Sequence, residues 1–435
     1  MENLFHSLTQ KFKSADPAWL YQQREKAIIQ FTSRGFPTKR EEAWRQISVA
    51  PLLKISFRSP AETSPPLSAT DLAPYFLDAA KNSTLVFVDG HWNSELSSIS
   101  GLPDNVVVEN IQTALSKQEV LKSFLTAHRS LENPFAILNQ AFFAEGVFCR
   151  IPKGTRVKTP IHFLFVSTKN AKDYFVNPYN FILAETGSEA TLIESYVGLD
   201  ENVYWTNGVT ELVLEENAGI DHYKLQLESE AAFNFSSLIT HQKRSSRLSS
   251  HSTILGGALS RYDIQTKLEG EGADCTLNGF FMGHKNQQMD HHVRVDHLTP
   301  HGTSNQLFKG ILDDKAKGIF NGLVVVHEGA KKTEAHQNIR NLLLSEFAEA
   351  DPEPQLEIHN DDVKCTHGAA VGQLDKNALF YLQSRGISAE GAKSLLTYAF
   401  ASEVIQKIKV PDIRHRLMET VLQRLPESTI LKELQ

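Results

Sequence analysis

Between residues 151 and 370 the chain is a succession of short apolar/polar alternations separated by Gly, Asn and Asp, with no helical period among them. The runs are Ile161, Phe163 and Phe165; Ala190 and Leu192; Leu212 and Leu214; Tyr223, Leu225 and Leu227; Tyr262, Ile264, Thr266 and Leu268; Leu323 and Val325. Side chains of a strand alternate between two faces, so each run predicts a half-buried strand. So many strands at modest, fairly regular spacing limit the fold to a sandwich, a barrel or a β-solenoid. Periodicity does not choose among the three, because no self-similar repeat can be aligned along the segment. Gly256-Gly257 and Gly302 are expected at bends between strands, where a positive φ favours glycine.

Both flanks read as helical. Over the first 50 residues Ala27, Ile28 and Phe31, followed by Trp44 and Ile47, are spaced to face a common core, and Gly35-Phe36-Pro37 marks a stop and restart. Residues 56–70, with Pro60, Pro65 and Pro66 among Ser and Thr, read as an exposed connection, after which short mixed elements such as 83–89 continue to about 150. After Asp375 a short helical element over 378–384 is closed by Gly386. Ser388 then serves as the N-cap, with Glu390 in the first turn, of a helix over 392–408, and a second amphipathic helix covers 413–425. The expected organisation is an N-terminal helical and mixed domain (1–150), a β domain (151–370) and a C-terminal helical domain (371–435). The last two helices are expected to cover each other's apolar faces, or to offer one of them to another protein.

Composition removes several function classes. The chain has 435 residues, 41% hydrophobic and 22% charged, values of a soluble globular protein of two or three domains. A net charge of −7, from 44 basic and 51 acidic residues, lacks the basic surplus of a nucleic-acid footprint. No 18-residue apolar stretch and no basic leader with an apolar run are present, so neither membrane nor export is expected. Three scattered cysteines make no disulfide framework, which points to a reducing, cytoplasmic compartment.

Chemistry concentrates in Asp-Asp-Val-Lys-Cys-Thr-His-Gly (361–368). In an extended strand Cys365 and His367, two residues apart, project from one face and could hold one metal or sulfur species between them. Two ligands do not complete a site, and Cys149 and Cys275 lie far away with no CxxC spacing, so any cluster must borrow ligands from a partner. A buried strand cysteine beside a surface histidine is the plain alternative. A second concentration is Asp290, His291, His292, Asp296, His297 and His301, with His284 nearby. On a strand, His292 and Asp296 share one face and His291 and His297 the other, so these groups do not converge on one ion without a bulge. Gly386 to Ser394 has the glycine spacing of a phosphate-binding loop, but Ala392 stands where the lysine should follow and Glu390 would oppose the phosphates.

Longer stretches carry a resemblance. Lys332-Thr-Glu-Ala-His-Gln-Asn-Ile-Arg-Asn-Leu-Leu-Leu-Ser345, the run from Leu356 through Cys365 and His367 to Asp375, and Leu379-Phe-Tyr-Leu-Gln-Ser-Arg-Gly-Ile387 closely resemble the SufB/SufD family of iron-sulfur cluster assembly scaffolds, as do 290–306 and 308–322. The similarity covers most of residues 150–400. Length, few cysteines and the segment Gly35-Phe-Pro-Thr-Lys-Arg-Glu-Glu-Ala-Trp44 resemble the SufD branch, while Ala370 stands where many relatives have Thr.

The resemblance implies a mainly β fold: a right-handed parallel β-helix (β-solenoid) flanked by N- and C-terminal helical domains. It implies a scaffold with no catalytic residue of its own, pairing with a SufB-like paralogue through their β-helices and carrying a SufC-like ATPase on its C-terminal helices, so that ATP hydrolysis belongs to the partner. Cys365 and His367 would lie at the subunit boundary. There they would hold iron or a nascent iron-sulfur cluster transiently, with no cofactor tightly bound by the isolated chain. A neutral imidazole binds iron but holds it less firmly than a thiolate, which suits later release. Alone, the chain would form a homodimer through the same edge. Two other classes are a metal-dependent hydrolase centred on His291 to His301 and a carbohydrate-active β-solenoid enzyme, which would need paired carboxylates and an aromatic platform in a groove.

Overall fold

The alternating runs become strands of mostly nine or ten residues that fall by turns into two sheets in the computed structural model, which describes residues 2–60, 67–127 and 131–427. Glu189–Gly198 belongs to the first sheet, Trp205–Leu214 to the second, Gly219–Leu227 to the first again, and the pattern continues to Glu349–Ile358 in the second and Lys364–Gly372 in the first. Each strand pairs in parallel with the strand one full turn away, which neither a sandwich nor a barrel of sequential hairpins does. The result is a β-solenoid of about eight turns between flanking helices.

Its turns are unequal, which is why no repeat is legible. Gly219 is matched to Arg247, 28 residues on; Arg247 to Asp274, 27 on; Asp274 to Thr303, 29 on; and Thr303 to Glu334, 31 on. The loops absorb the differences while the strands keep register, because a slip of one residue would turn every inward side chain outward.

The inward rows fill the space between the sheets. One row of the first sheet runs Ala190, Ile220, Leu248, Cys275, Ser304, Ala335, Cys365, and the next runs Leu192, His222, Ser250, Leu277, Gln306, Gln337, His367. Tyr223, Leu225, Leu323 and Val325 differ from the simple expectation of an inward core. Tyr223 and Leu225 face out and share a cluster with Ile405, Ile413, Leu417 and Val421 of the C-terminal helices, whereas Val324 rather than its neighbours enters the interior. At that turn the interior instead receives His222, Lys224 and Gln226. The reason is that helices cover both outer faces, as parallel sheets require, so apolar residues are needed on both sides and alternation does not mark the inside. The second sheet's outer face is covered by Glu2–Ala15, Ala18–Arg34 and Pro134–Phe142, with Phe31, Trp44, Phe135, Trp205 and Phe235 in one cluster. Ala27 and Ile47 join them as their spacing predicts.

Gly257 takes a φ of +85° at its bend, as expected. Gly302 does not. His301 supplies the left-handed residue there, with φ +60°, and Gly302 is needed for closeness, since a Cβ would lie 2.8 Å from Nδ1 of His297. Of the 56–70 connection, residues 61–66 lie outside the described residues.

The two ends of the solenoid are treated differently. At the start, Thr84–Val88 and Val147–Ile151 carry antiparallel caps, His91–Ser98 and Val107–Asn110. At the far end the order of both sheets simply stops, at Lys364–Gly372 and Glu349–Ile358.

Stacking of unlike turns makes small residues obligatory where a large one sits above. A Cβ on Gly279 would lie 2.1 Å from the ring of Phe308, its partner in the next turn. Gly279→Ala is therefore expected to lose about 1–3 kcal/mol through overpacking, read as a lowered thermal midpoint. An unchanged midpoint would mean that the Phe308 ring relaxes freely.

Candidate functional site

The open end follows from hydrogen-bond parity along its two last strands. Glu349 and His359 donate their N–H groups to Ala316 and Val326 of the preceding turn, so odd-numbered residues of that strand bond back and even-numbered ones aim at the free edge. Pro352 and Pro354 are even, and having no N–H they remove two of the edge donors. In the other strand Lys364 donates back to Thr333, so the N–H groups of Cys365, His367, Ala369 and Val371 aim outward. No proline interrupts them. The end thus has one edge blunted and one edge ready to pair, and among the described residues neither is paired.

Cys365 and His367 lie on the competent edge and share the inward face, as their spacing predicts. Cys365 is half-buried against the end of the interior cluster, while His367 is exposed because no further turn covers it. Partial burial raises the thiol pKa of Cys365, with a backbone hydrogen bond involving Ala335 acting the other way. The residue between them, Thr366, faces out and bonds through Oγ1 to Nδ1 of His336 at 2.8 Å. Cys149 and Cys275 are fully buried, and desolvation pushes Cys149 up to about 12 and Cys275 higher still, so neither supplies a thiolate. Cys365 is the one sulfur of the three that meets solvent.

The histidine-rich strand Gln288–His297 does not gather its groups. His291 and His297 face inward, bonded through Nε2 to Oγ of Ser252 at 2.9 Å and of Ser304 at 2.8 Å, and burial lowers them to about 3 and about 4. Asp296 faces outward to Arg294 and His327, and Asp290 binds Arg261 at 2.8 Å. No group of three His, Cys, Asp or Glu that could hold a metal ion occurs among the described residues. Above this strand lies a groove of about 270 Å³ lined by Trp44, Arg261, Asp263, His292 and Arg294. Asp263 there is bound by Arg261, whose guanidinium also holds Asp290 and covers the Trp44 ring at 3.8 Å, and Glu42 and Glu132 line the groove as well. The groove's one aromatic ring, Trp44, is covered by the Arg261 guanidinium.

Gly386 to Ser394 is a helix start, with Oγ of Ser388 accepting from the N–H of Gly391 at 3.0 Å. The helix before it, Lys376–Ser384, buries no residue and exposes Phe380 and Tyr381. Two features escaped the sequence reading. The prolines of the blunted edge needed the strand's parity to become meaningful. Gln306 and Gln337, buried beneath His367, carried a visible signal in their place within the alternation Ala335, Gln337, Ile339, Asn341.

Comparison with known proteins gives a consistent set of likenesses. The SufBD core domain of the SUF iron-sulfur cluster assembly system matches residues 165–400, and the SufBD N-terminal region matches 1–163. The chain is 32% identical over 410 residues to the iron-sulfur cluster assembly protein SufD of Escherichia coli, covering 93% of each. It is 31% identical over 411 residues to a SufBD family protein of Synechocystis, covering 92% of this chain and 90% of that one, and 26% identical over 431 residues to SufD of Bacillus subtilis, covering 95% of each.

The thiol geometry sets a simple expectation. In dilute folded protein a thiol reagent should modify one of the three cysteines, Cys365, at a rate that keeps rising with pH past the range of an ordinary thiol, because its raised pKa withholds thiolate at neutrality. Cys149 and Cys275 should react on unfolding. Two or more equivalents in the folded state would contradict this placement.

Proposed function

This chain belongs to the SufBD family of iron-sulfur cluster assembly proteins, and we propose that it acts as the SufD-type scaffold subunit of an assembly complex, pairing with a SufB-like paralogue and holding the nascent cluster at their boundary. The observation that supports this reading is the open end: a pairing-competent edge strand that carries Cys365 and His367. An incoming strand would add to Lys364–Gly372 by satisfying the four outward N–H groups. The same contact would bring the partner's ligands against Cys365 and His367, completing a set that this chain cannot supply alone. The cluster is cargo in this scheme. Cys365 and His367 would bind iron or cluster transiently, and the neutral imidazole would favour release.

A scaffold role leaves ATP hydrolysis to a SufC-like ATPase, for which the C-terminal helices are the proposed dock. Exposed Phe380 and Tyr381 on a helix that buries nothing favour that region. The rest of the C-terminal unit is occupied otherwise: Pro411–Gln423 and Ala389–Ile405 cover the first sheet, and Lys309 Nζ bonds Glu403 at 2.5 Å and the Phe400 carbonyl at 2.9 Å. No helix among the described residues is long and apolar enough to cross a membrane, and with three free cysteines a cytoplasmic location is proposed.

Two experiments test the reading. His367→Ala should leave the thermal midpoint nearly unchanged, since the residue is exposed, yet sharply lower cluster formation by the assembled complex, with Cys365→Ser weaker in effect. Normal cluster yield from a normally assembled His367→Ala complex would remove the ligand role.

The second concerns pairing. At micromolar concentration the isolated chain should sediment as a two-fold homodimer through Lys364–Gly372, converting to a heterodimer when the SufB-like protein is added. Ala369→Pro deletes one outward donor without touching the ladder to the preceding turn. Counted twice in a two-fold dimer, the loss of about 1–3 kcal/mol raises the dimer Kd roughly 10- to 100-fold. A strictly monomeric wild-type chain would sink the proposed edge.

A further inference from the structure

Directly behind His367, in the same inward row, stand two buried glutamines. Gln337 is 3% exposed and Gln306 is 4% exposed, and they are in register with His367 one and two turns down. Nε2 of Gln337 donates to Oε1 of Gln306 at 3.4 Å, so the amides form a short ladder running along the solenoid axis. The ladder is incomplete: Oε1 of Gln337 and Nε2 of Gln306 have no partner. The opposite sheet makes room for it. Gly322 faces the interior there, and a Cβ on it would lie 3.1 Å from Nε2 of Gln337. A buried amide oxygen without a donor is costly, and such atoms in folded proteins nearly always have a use or a partner. With Nε2 committed to Gln306, the free atom of Gln337 is an acceptor, and the next side chain in its row is the imidazole of His367.

We propose that Gln337 is a positioning residue for His367: its Oε1 accepts the N–H of one ring nitrogen, fixing the tautomer and ring orientation so that the other nitrogen presents its lone pair at the open end. This rests on the reading of His367 as a ligand. Histidines that bind metals commonly donate their second ring N–H to a fixed acceptor, which orients the ring and raises its basicity, and losing that acceptor typically weakens metal binding by about 10- to 100-fold. Here the acceptor is an uncharged amide supplied by the preceding turn and oriented by the turn before that. A neutral acceptor adds no charge to a site that is later to release its cargo.

The experiment uses the full-length chain labelled with ¹⁵N-histidine. His367 is identified among the 17 histidines by its absence from His367→Ala. In the unmodified chain His367 should show the nitrogen shifts of one fixed tautomer. Gln337→Met, which keeps the volume and removes the acceptor, should give averaged shifts, while Gln337→Glu, which keeps an acceptor, should restore the fixed form. Co(II) titration should show affinity about 10-fold or more lower for Gln337→Met and near the original for Gln337→Glu. An unchanged tautomer in Gln337→Met overturns the proposal whatever His367 does for clusters. Averaged tautomers in Gln337→Met, combined with full cluster yield from His367→Ala, would keep the hydrogen bond but overturn the ligand role, and so locate the failure in the underlying reading.

Discussion

The parallel backbone ladder is what everything else in this protein depends on. Each strand is held by the strand one turn before it and holds the one after, so the register set near Glu189 is transmitted to Lys364 without a break. Such a stack has no natural closure. One end is finished with antiparallel caps, and the other must be blunted, covered or used. Here the two sheets are finished differently, with prolines on one edge and an uninterrupted row of outward donors on the other.

The interior is less oily than an alternating pattern suggests. Lys224 is buried between the rings of Tyr196 at 4.9 Å and Tyr262 at 4.6 Å, and desolvation lowers its pKa to about 8, against the pull of Glu228 and Glu194. Glu194 in turn accepts from Nε2 of His222 at 3.0 Å and from the Tyr196 hydroxyl at 2.9 Å. Buried charges of this kind are tolerated when they are paired and hydrogen-bonded, and they resist a register slip because few alternative alignments would satisfy them. Beyond Leu277 in the same row a separate, uncharged pair, Gln306 and Gln337, stands before the mouth.

That arrangement also explains why the chemistry is sparse. Along the histidine-rich strand the inward imidazoles are desolvated and bonded to serines, and the outward carboxylates are matched with arginines. Where the stack runs out of turns an inward side chain is no longer covered by the next one, and Cys365 and His367 meet solvent there. Cys365 and His367 owe their accessibility to their position in the order of turns, which a change in solenoid length would abolish.

Residue by residue, the sequence determined a good deal. The alternations marked strands such as Ile161–Ser167 and Leu259–Leu268, Gly35 and Ser388 marked helix boundaries, and the two-residue spacing placed Cys365 and His367 on one face, because these are local consequences of backbone geometry. It also placed His291 and His297 opposite His292 and Asp296. Only the tertiary structure decided which face of each strand looks inward, since helices cover both sheets and Tyr223 and Leu225 are as apolar outside as Leu248 and Leu277 are inside. Turn length was likewise hidden, because loops vary while strands stay in register. Local alternation marks Gln337 as aligned with Ala335 and Ile339, but the stacking of Gln306, Gln337 and His367, and the edge position of Pro352 and Pro354, emerge only once residues some thirty positions apart are set side by side.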